Sequence, residues 1–316
     1  MASRTLPILL VLFCVLALSD MKNWRYDRRP KVYGDKIPNT ALIPKTSKVI
    51  KKIVLYHNFF RTKVRPKASN MLTMKWHKGA AKAAQKWADA CQYLVHDPPI
   101  GRHVEEYGTC GQNIFVSSHQ VPWLFGVKSW FLEHHNFTYG SQNNNLHVVG
   151  HYTQMVWAST HEVGCGFTKC PYGGPRGKPF FNYVCNYCPI GNWAEKLGRP
   201  YKRGKMCGLC PKSCKVGKLC TNPCAWADQW SNCKELMRAG RGWLCATNTP
   251  SGKDRLNHCR ATCNCKNQIH EWREPRRSPR GGGDGRWGSG APGPPLQPPG
   301  AAPYASRTST SPQLPA

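Results

Sequence analysis

The sequence predicts an α+β domain, then a small disulfide-rich domain and a disordered tail. Helical patterns precede short runs of aromatic and β-branched residues, without the alternation of a doubly wound sheet. Most of the 17 cysteines fall near the C-terminal end, and the last 44 residues contain 10 prolines and 8 glycines. A chain of 316 residues is long enough for about two folded domains.

The chain begins with a segment typical of secretory signal peptides. Residues 6–18 read LPILLVLFCVLAL, with Arg4 before them and the small residue Ala17 near their end. This run is shorter than the ~20 residues of a membrane-spanning helix. We assign residues 1–19 to a signal peptide, which predicts a secreted protein in the extracellular space.

Three amphipathic helices are predicted next. Apolar residues recur at helical spacing in residues 46–65, where Ser47 is available as the cap and a proline ends the pattern. The spacing returns in residues 76–94 and places Cys91 on the buried stripe of that helix. A third, shorter pattern covers residues 123–135.

Strands are predicted after these helices. Residues 152–158, 163–169 and 180–187 are short aromatic and β-branched runs bounded by glycine and proline. Because helices come first and strands later, the large domain, residues 40–195, is predicted to be α+β.

The tail, residues 273–316, lacks the apolar residues that a core requires. Four arginines make its first part basic: Arg276, Arg277, Arg280 and Arg286. We predict a disordered, solvated tail, with contact to anionic glycans or lipid headgroups as the alternative.

The cysteines indicate a disulfide framework. Without Cys14 of the signal peptide, 16 remain, an even number that permits complete pairing. Ten of them lie in the 59 residues from 207 to 265, where cross-links substitute for a large core, and we assign residues 200–266 to a hinge and cysteine-rich domain. A four-thiolate zinc site at Cys185, Cys188, Cys207 and Cys210 has suitable spacing and is the alternative, although an oxidising compartment favours disulfides.

Two segments resemble the signature sequences of the CAP superfamily. They read GHYTQMVW at residues 150–157 and YVCNYCPIGNW at residues 183–193. The division into six and ten cysteines is similar to that of vertebrate cysteine-rich secretory proteins, as are the hinge sequences CGLCP at 207–211 and LCTNPC at 219–224. The resemblance extends over residues 45–269 and does not include the tail.

This resemblance implies a three-layer α-β-α sandwich for the large domain. It also implies a disulfide pairing that the spacing alone does not determine. The implied bonds are Cys91–Cys170, Cys110–Cys188, Cys165–Cys185, Cys207–Cys214, Cys210–Cys220, Cys224–Cys265, Cys233–Cys259 and Cys245–Cys263.

The resemblance further implies a cleft in the large domain, lined by His96, Gln112, Glu133 and His151. The family usually has glutamate where this chain has Gln112, and an amide cannot act as a general base. Two imidazoles and one carboxylate, His96, Glu133 and His151, are a ligand set that suits Zn²⁺. Such a zinc-binding module or weak metal-dependent enzyme is one interpretation, and a hydrogen-bonded polar cluster that stabilises the cleft is the other.

The small domain combines positive charge with tryptophan. Residues 207–265 contain nine Lys and Arg against three Asp and Glu, a net charge of +6. We select Lys212, Trp226, Trp230 and Trp243 as candidates for a surface that contacts an ion channel, the role that the resemblance implies for this region. The alternative is that the tryptophans form a small core.

The sequence therefore predicts a secreted, non-enzymatic and monomeric protein. The resemblance implies that its partner is an ion channel or cell-surface protein on sperm, egg or another cell, as in sperm maturation, gamete interaction or venom secretion. A sterol or lipid carrier is a further alternative. No Gly-x-Ser-x-Gly segment is present, and the +29 net charge is too dispersed to indicate a nucleic-acid groove. Asn136 begins the one glycosylation sequon.

Overall fold

The computed structural model describes residues 37–230 and 232–270. The chain divides into two units, Met1–Trp272 and Arg273–Ala316, and everything described below belongs to the first. The predicted signal peptide and tail lie outside the described residues. Within them, no helix has both the length and the apolar character needed to cross a membrane.

The large domain consists of helices packed on a four-stranded sheet. Its helices are α1 Ser47–Arg61, α2 Lys78–Asp89, α3 Trp123–Leu132 and α4 Leu146–Met155. Its strands are β1 Lys75–Trp76, β2 His103–Val104, β3 Gly108–Thr109, β4 Gly111–Ser117, β5 Glu162–Cys170 and β6 Phe180–Cys188. The main sheet has the order β1-β5-β6-β4, and β2 pairs with β3 in a separate two-stranded sheet.

The central strand β6 is buried along its whole length. It pairs antiparallel with β5 and β4, whereas β1 joins β5 in parallel. Tyr183 and Tyr187 pack into the main core, while Val184 packs with Ala84 and Ala88 of α2. This alternation, with a period of two, separates the two faces of the sheet.

Helices cover both faces, which gives the three layers α-β-α. On one face the core contains residues from α1, α3 and α4, such as Ile53, Phe131 and Tyr152. On the other face α2 lies directly on β5. A Cβ at Gly164 would lie 2.1 Å from the amide nitrogen of Ala81, so glycine is what permits this close approach.

Several local predictions need correction. Residues 152–158 are not a strand, because Leu146–Met155 is helix α4, which Asn145 caps by accepting a hydrogen bond from the His147 amide (2.9 Å). The cap of α1 is Thr46, whose hydroxyl accepts from Val49, and not Ser47. Cys91 is not on a helix, since α2 ends at Asp89 and Cys91 adopts a φ of 52°.

The small domain is built from short elements. These are β7 Cys214–Lys215, β8 Leu219–Cys220, α5 Cys233–Leu244, α6 Pro250–His258 and α7 Arg260–Asn264. Its hinge is attached to the large domain, since the Cys220 amide donates to Met71 (2.7 Å) and the Thr73 amide donates to Cys220 (2.9 Å). A second attachment is the hydrogen bond from the Ala227 amide to the carbonyl of Glu106 (3.4 Å).

Eight disulfides cross-link the described residues, with the same pairs that the resemblance implies. They are Cys91–Cys170, Cys110–Cys188, Cys165–Cys185, Cys207–Cys214, Cys210–Cys220, Cys224–Cys265, Cys233–Cys259 and Cys245–Cys263. The alternative of a four-thiolate zinc site is wrong, because each of its four cysteines is in a disulfide. The Sγ atoms of Cys207, Cys210 and Cys220 lie within 4.8 Å of one another because two hinge disulfides are adjacent.

Candidate functional site

The four cleft residues come from four different elements. His96 lies in the loop after α2 and Gln112 lies on β4. Glu133 caps the end of α3 and begins a 3-10 helix, Glu133–Asn136, and His151 lies on α4. The structure arranges them as two pairs, His96 with Gln112 and His151 with Glu133.

Gln112 fixes the orientation of His96. Its Oε1 accepts from the Asp97 amide (3.0 Å) and lies 2.9 Å from His96 Nδ1. Because a carbonyl oxygen can only accept, Nδ1 of His96 carries the proton and Nε2 has the free lone pair. The Gln112 Nε2 donates to Asn186 Oδ1 on β6 (3.0 Å). Both the oxygen and the nitrogen of the Gln112 amide are therefore hydrogen-bonded.

Glu133 holds His151 in the same way. His151 Nδ1 donates to Glu133 Oε1 at 2.6 Å, and the other carboxylate oxygen accepts from the Tyr152 amide at 3.0 Å. The Trp130 ring stacks against the imidazole with centroids 6.3 Å apart. Nε2 of His151 is therefore also the unprotonated nitrogen when the ring is neutral.

The charge state of His96 depends on its surroundings. Desolvation lowers the pKa of His96, the charges of Arg102 and His151 act in the same direction, and the hydrogen bond to Gln112 opposes them. His96 is thus more fully neutral near pH 7 than an ordinary histidine.

The two histidines fit a metal ion better than the full predicted set does. Each ring directs Nδ1–H to a protein acceptor, which is the usual outer-shell arrangement of metal-binding histidines. Both oxygens of Glu133 already accept protein hydrogen bonds, so its role here is to position His151. His96 and His151 are the residues that could hold Zn²⁺.

Sequence reasoning missed the residues that support the site. Asn186 anchors Gln112, and Asn113 donates through Nδ2 to the carbonyl of His151 (3.0 Å). Both asparagines are buried. Buried asparagine within a strand is unusual enough to be a signal, but the sequence does not indicate its partner.

A second polar cluster, of His77, Glu106 and Glu162, lies near β5. His77 Nε2 is 3.7 Å from Glu106 Oε2 and 3.6 Å from Glu162 Oε2. His77 Nδ1 accepts the Ala80 amide hydrogen bond that caps α2 (2.9 Å), so Nε2 carries the proton in the neutral ring. Neither ring nitrogen then has a free lone pair for a metal ion. The contacts of His77 instead connect Glu162 of β5 with Glu106, whose carbonyl accepts from the Ala227 amide.

The channel-contact candidates differ in exposure. Trp243 is 50% exposed, and the Arg255 guanidinium lies 4.1 Å from its ring centroid. Trp226 and Trp230 are half-buried and pack against disulfide clusters. Arg260 lies over Trp226 at 4.7 Å, and Lys212 is exposed in the hinge.

Asn136, the candidate glycosylation site, ends the 3-10 helix after α3. Its side chain is exposed, as is Thr138 of the same sequon. The site is therefore accessible to modification.

Comparisons with known proteins agree with this architecture. The model described as cysteine-rich secretory protein family (CAP) matches residues 54–187, and the model described as Crisp matches residues 207–270. Human cysteine-rich secretory protein 3 is 42% identical over 234 residues, 73% of this chain and 89% of the relative. Cysteine-rich secretory protein 2 of Cavia porcellus gives the same identity and coverage.

Among solved structures, NaASP2 with Zn²⁺ is 28% identical, with a TM-score of 0.47, and covers 56% of this chain and 96% of its own. Venom allergen-like protein 4 of Schistosoma mansoni is also 28% identical, with a TM-score of 0.41, over 50% of this chain and 97% of its own. The two family models together with the identity to curated relatives decide the classification: the chain belongs to the cysteine-rich secretory protein family and contains both its CAP domain and its cysteine-rich domain.

Proposed function

We propose that this protein is secreted and acts as a non-enzymatic ligand of a membrane protein, in which the cysteine-rich domain regulates an ion channel on sperm, egg or another target cell. The proposal rests on the pair formed by Trp243, which is 50% exposed, and the half-buried Arg255. Large aromatic and arginine side chains are the residues that most often supply binding energy at protein interfaces.

The pair is rigid because its two helices are cross-linked. Trp243 lies on α5 and Arg255 on α6, and the Arg255 Nε donates to the carbonyl of Trp243 at 3.1 Å. The disulfides Cys233–Cys259 and Cys245–Cys263 connect the ends of α5 to the chain after α6. A surface already ordered loses little entropy on binding.

The other two tryptophans, Trp226 and Trp230, are half-buried and pack against disulfides. Trp230 stacks on His258 with centroids 4.6 Å apart and packs against the cluster that includes Cys233 and Cys259. Trp226 packs against Cys224 and Cys265. Trp243 and Lys212 are therefore the better candidates for direct contact, and Trp226 and Trp230 for stability.

The test is block of cation channels by full-length Trp243→Ala, measured by electrophysiology on a channel panel. We expect at least about a tenfold loss of potency with an unchanged circular dichroism spectrum. Tyr172→Ala is the matched control, because Tyr172 is an aromatic residue of the large domain that is 70% exposed. Equal potency of Trp243→Ala and wild type would contradict the proposed surface.

We propose zinc binding in the cleft as a second function, supported by the orientation of His96 and His151. His96 and His151 would hold Zn²⁺ through Nε2, and Gln112 and Glu133 would fix the orientation of the two rings. Isothermal titration of wild type and His96→Ala/His151→Ala with ZnCl₂ tests this. Equal zinc binding by both proteins would refute it.

Gln112→Glu separates the positioning role from simple packing. A carboxylate facing His96 Nδ1–H makes that ring more basic, so we expect zinc affinity to rise by up to about tenfold. An unchanged affinity would mean that Gln112 does not position the ligand.

A further inference from the structure

We propose that the outer face of α1 binds the surface of an anionic phospholipid bilayer. The α1 outer face consists of Lys48, Lys51, Lys52, Leu55 and Phe59. It is independent of the Trp243 surface and of the cleft, and the classification above does not require it.

The α1 outer face is a continuous stripe. Lys48, Lys52, Leu55 and Phe59 follow one another at steps of four, three and four, which keeps them on one side of a helix. At 1.5 Å per residue the stripe is about 16 Å long. The opposite side of α1 is buried in the core through Val49, Ile53, His57 and Phe60.

The apolar part of this stripe lies at the surface. Leu55 is 62% exposed and Phe59 is 43% exposed. Leu55 and Phe59 lie one turn apart outside the buried core, and the Phe59 ring makes an edge contact with the core residue Phe60, with centroids 5.2 Å apart. A partner that desolvates them would explain their presence.

The lysines are placed where they oppose helix stability. Lys48 lies in the first turn of α1, which contains no acidic residue, and a cation is unfavourable at this end of a helix. Lys51 and Lys52 follow in the second turn. Lys48 and Lys52 also repel each other at a spacing of four. In the described part of the chain none of these three lysines pairs with a carboxylate, so an external anion is the natural complement.

The order of side chains favours a bilayer over a soluble polyanion. Lysines lie at the start of the stripe and Leu55 and Phe59 follow. Beyond them the Lys63 ammonium lies 4.9 Å from the Phe59 ring centroid. Helices that lie in a membrane interface pair an inserted apolar group with lysines that reach the phosphates. A sulfated glycan would use the lysines only and leave Leu55 unexplained.

The experiment is co-sedimentation of the mature full-length protein with vesicles of phosphatidylcholine containing about 30 mol% phosphatidylserine. Two variants test the two components: Leu55→Ser/Phe59→Ser and Lys48→Gln/Lys51→Gln/Lys52→Gln. The matched control is Lys78→Gln/Lys82→Gln/Lys86→Gln, which removes the same charge from an exposed stripe of α2. Melting temperatures of all four proteins are measured in parallel.

We expect each lysine of α1 to contribute about fivefold to the vesicle partition coefficient. Partition should thus fall by about 100-fold in the α1 lysine variant, far more than in the control. It should also fall in the Leu55/Phe59 variant, whose melting temperature should drop only slightly, by the lost edge contact between Phe59 and Phe60. The α1 lysine variant should melt at the wild-type temperature or slightly higher, because in wild type Lys48 opposes the helix dipole and the three lysines repel one another.

Three outcomes would overturn the proposal. An equal fall of the vesicle partition coefficient in the α1 and α2 lysine variants would mean that vesicle binding depends only on the net charge of the protein. Full vesicle binding by Leu55→Ser/Phe59→Ser would remove the role of the apolar pair. Heparin binding that depends on the α1 lysines, without vesicle binding, would assign the surface to a glycan.

Discussion

Arg61 is a buried cation whose replacement tests how the core is held together. It lies at the end of α1 and is 1% exposed. Its guanidinium donates to five carbonyls, those of Leu72, Met155, Trp157, Ala158 and Thr160, at 2.8–3.2 Å. All five carbonyls belong to irregular segments or helix ends, and the Ala158 carbonyl also accepts from the Leu72 amide (3.2 Å). Arg61 therefore adds donors in a region with little regular backbone pairing.

The expected cost of Arg61→Met follows from these contacts. Methionine approximates the length and apolar stem of arginine but donates nothing, so the five buried carbonyls lose the hydrogen bonds from Arg61. Leaving a buried polar group unsatisfied costs about 1–3 kcal/mol, and such costs are not additive within one network. Burial lowers the pKa of Arg61 to about 9, so removing the charge also removes a desolvation penalty. We therefore expect a net loss of about 3–5 kcal/mol of unfolding free energy.

The assay is urea denaturation followed by tryptophan fluorescence, with all disulfides intact. Arg61→Lys keeps the charge with fewer donors and should fall between wild type and Arg61→Met. Arg238→Met makes the same change at an exposed position of α5 and should alter stability by less than about 0.5 kcal/mol. A loss below about 1 kcal/mol in Arg61→Met would refute the view that this network organises the core.

Two further predictions concern acid and close packing. Burial lowers the pKa of His57 and of His161 to about 4, from the ordinary 6.5. The folded state then binds fewer protons, and stability should fall as the pH drops from 6.5 towards 4, by about 1.4 kcal/mol per pH unit for each histidine. Urea midpoints at pH 7 and pH 5 should differ less in His57→Gln/His161→Gln than in wild type; equal differences would contradict this. Gly164→Ala should cost about 1–3 kcal/mol by pushing α2 from β5, while Gly242→Ala, where a Cβ meets nothing within 4 Å, should be neutral or stabilising in thermal melts.

The sequence predicts those elements best whose pattern and packing agree. The apolar spacing in residues 46–65 corresponds to α1, and the runs at 163–169 and 180–187 correspond to β5 and β6. The region 123–135 is helical only to Leu132, after which the chain tightens into a 3-10 turn. That turn places Glu133 against His151.

The sequence does not predict α4 and β4, because tertiary contacts outweigh the local secondary-structure preference of their residues. The aromatic and β-branched residues from Tyr152 onwards favour a strand, yet α4 forms because its buried side packs into the core and the Tyr152 amide donates to Glu133. Strand β4 contains the buried polar residues Gln112 and Asn113 directly after its first residue. Their hydrogen bonds, to Asn186 and to His151, connect residues more than 30 positions apart.

Gln112 illustrates what an amide provides that a carboxylate cannot. Its oxygen accepts from Asp97 and faces His96, and its nitrogen donates to Asn186, which lies opposite it in the β4–β6 register. A glutamate would offer acceptors on both sides and would face the Asn186 oxygen, so that asparagine would have to turn its amide. The amide therefore fits the network of this cleft without a change in protonation. With glutamine at position 112 the cleft lacks the second carboxylate that acid–base catalysis would need. This is the physical reason to test the cleft for ligand binding before catalysis.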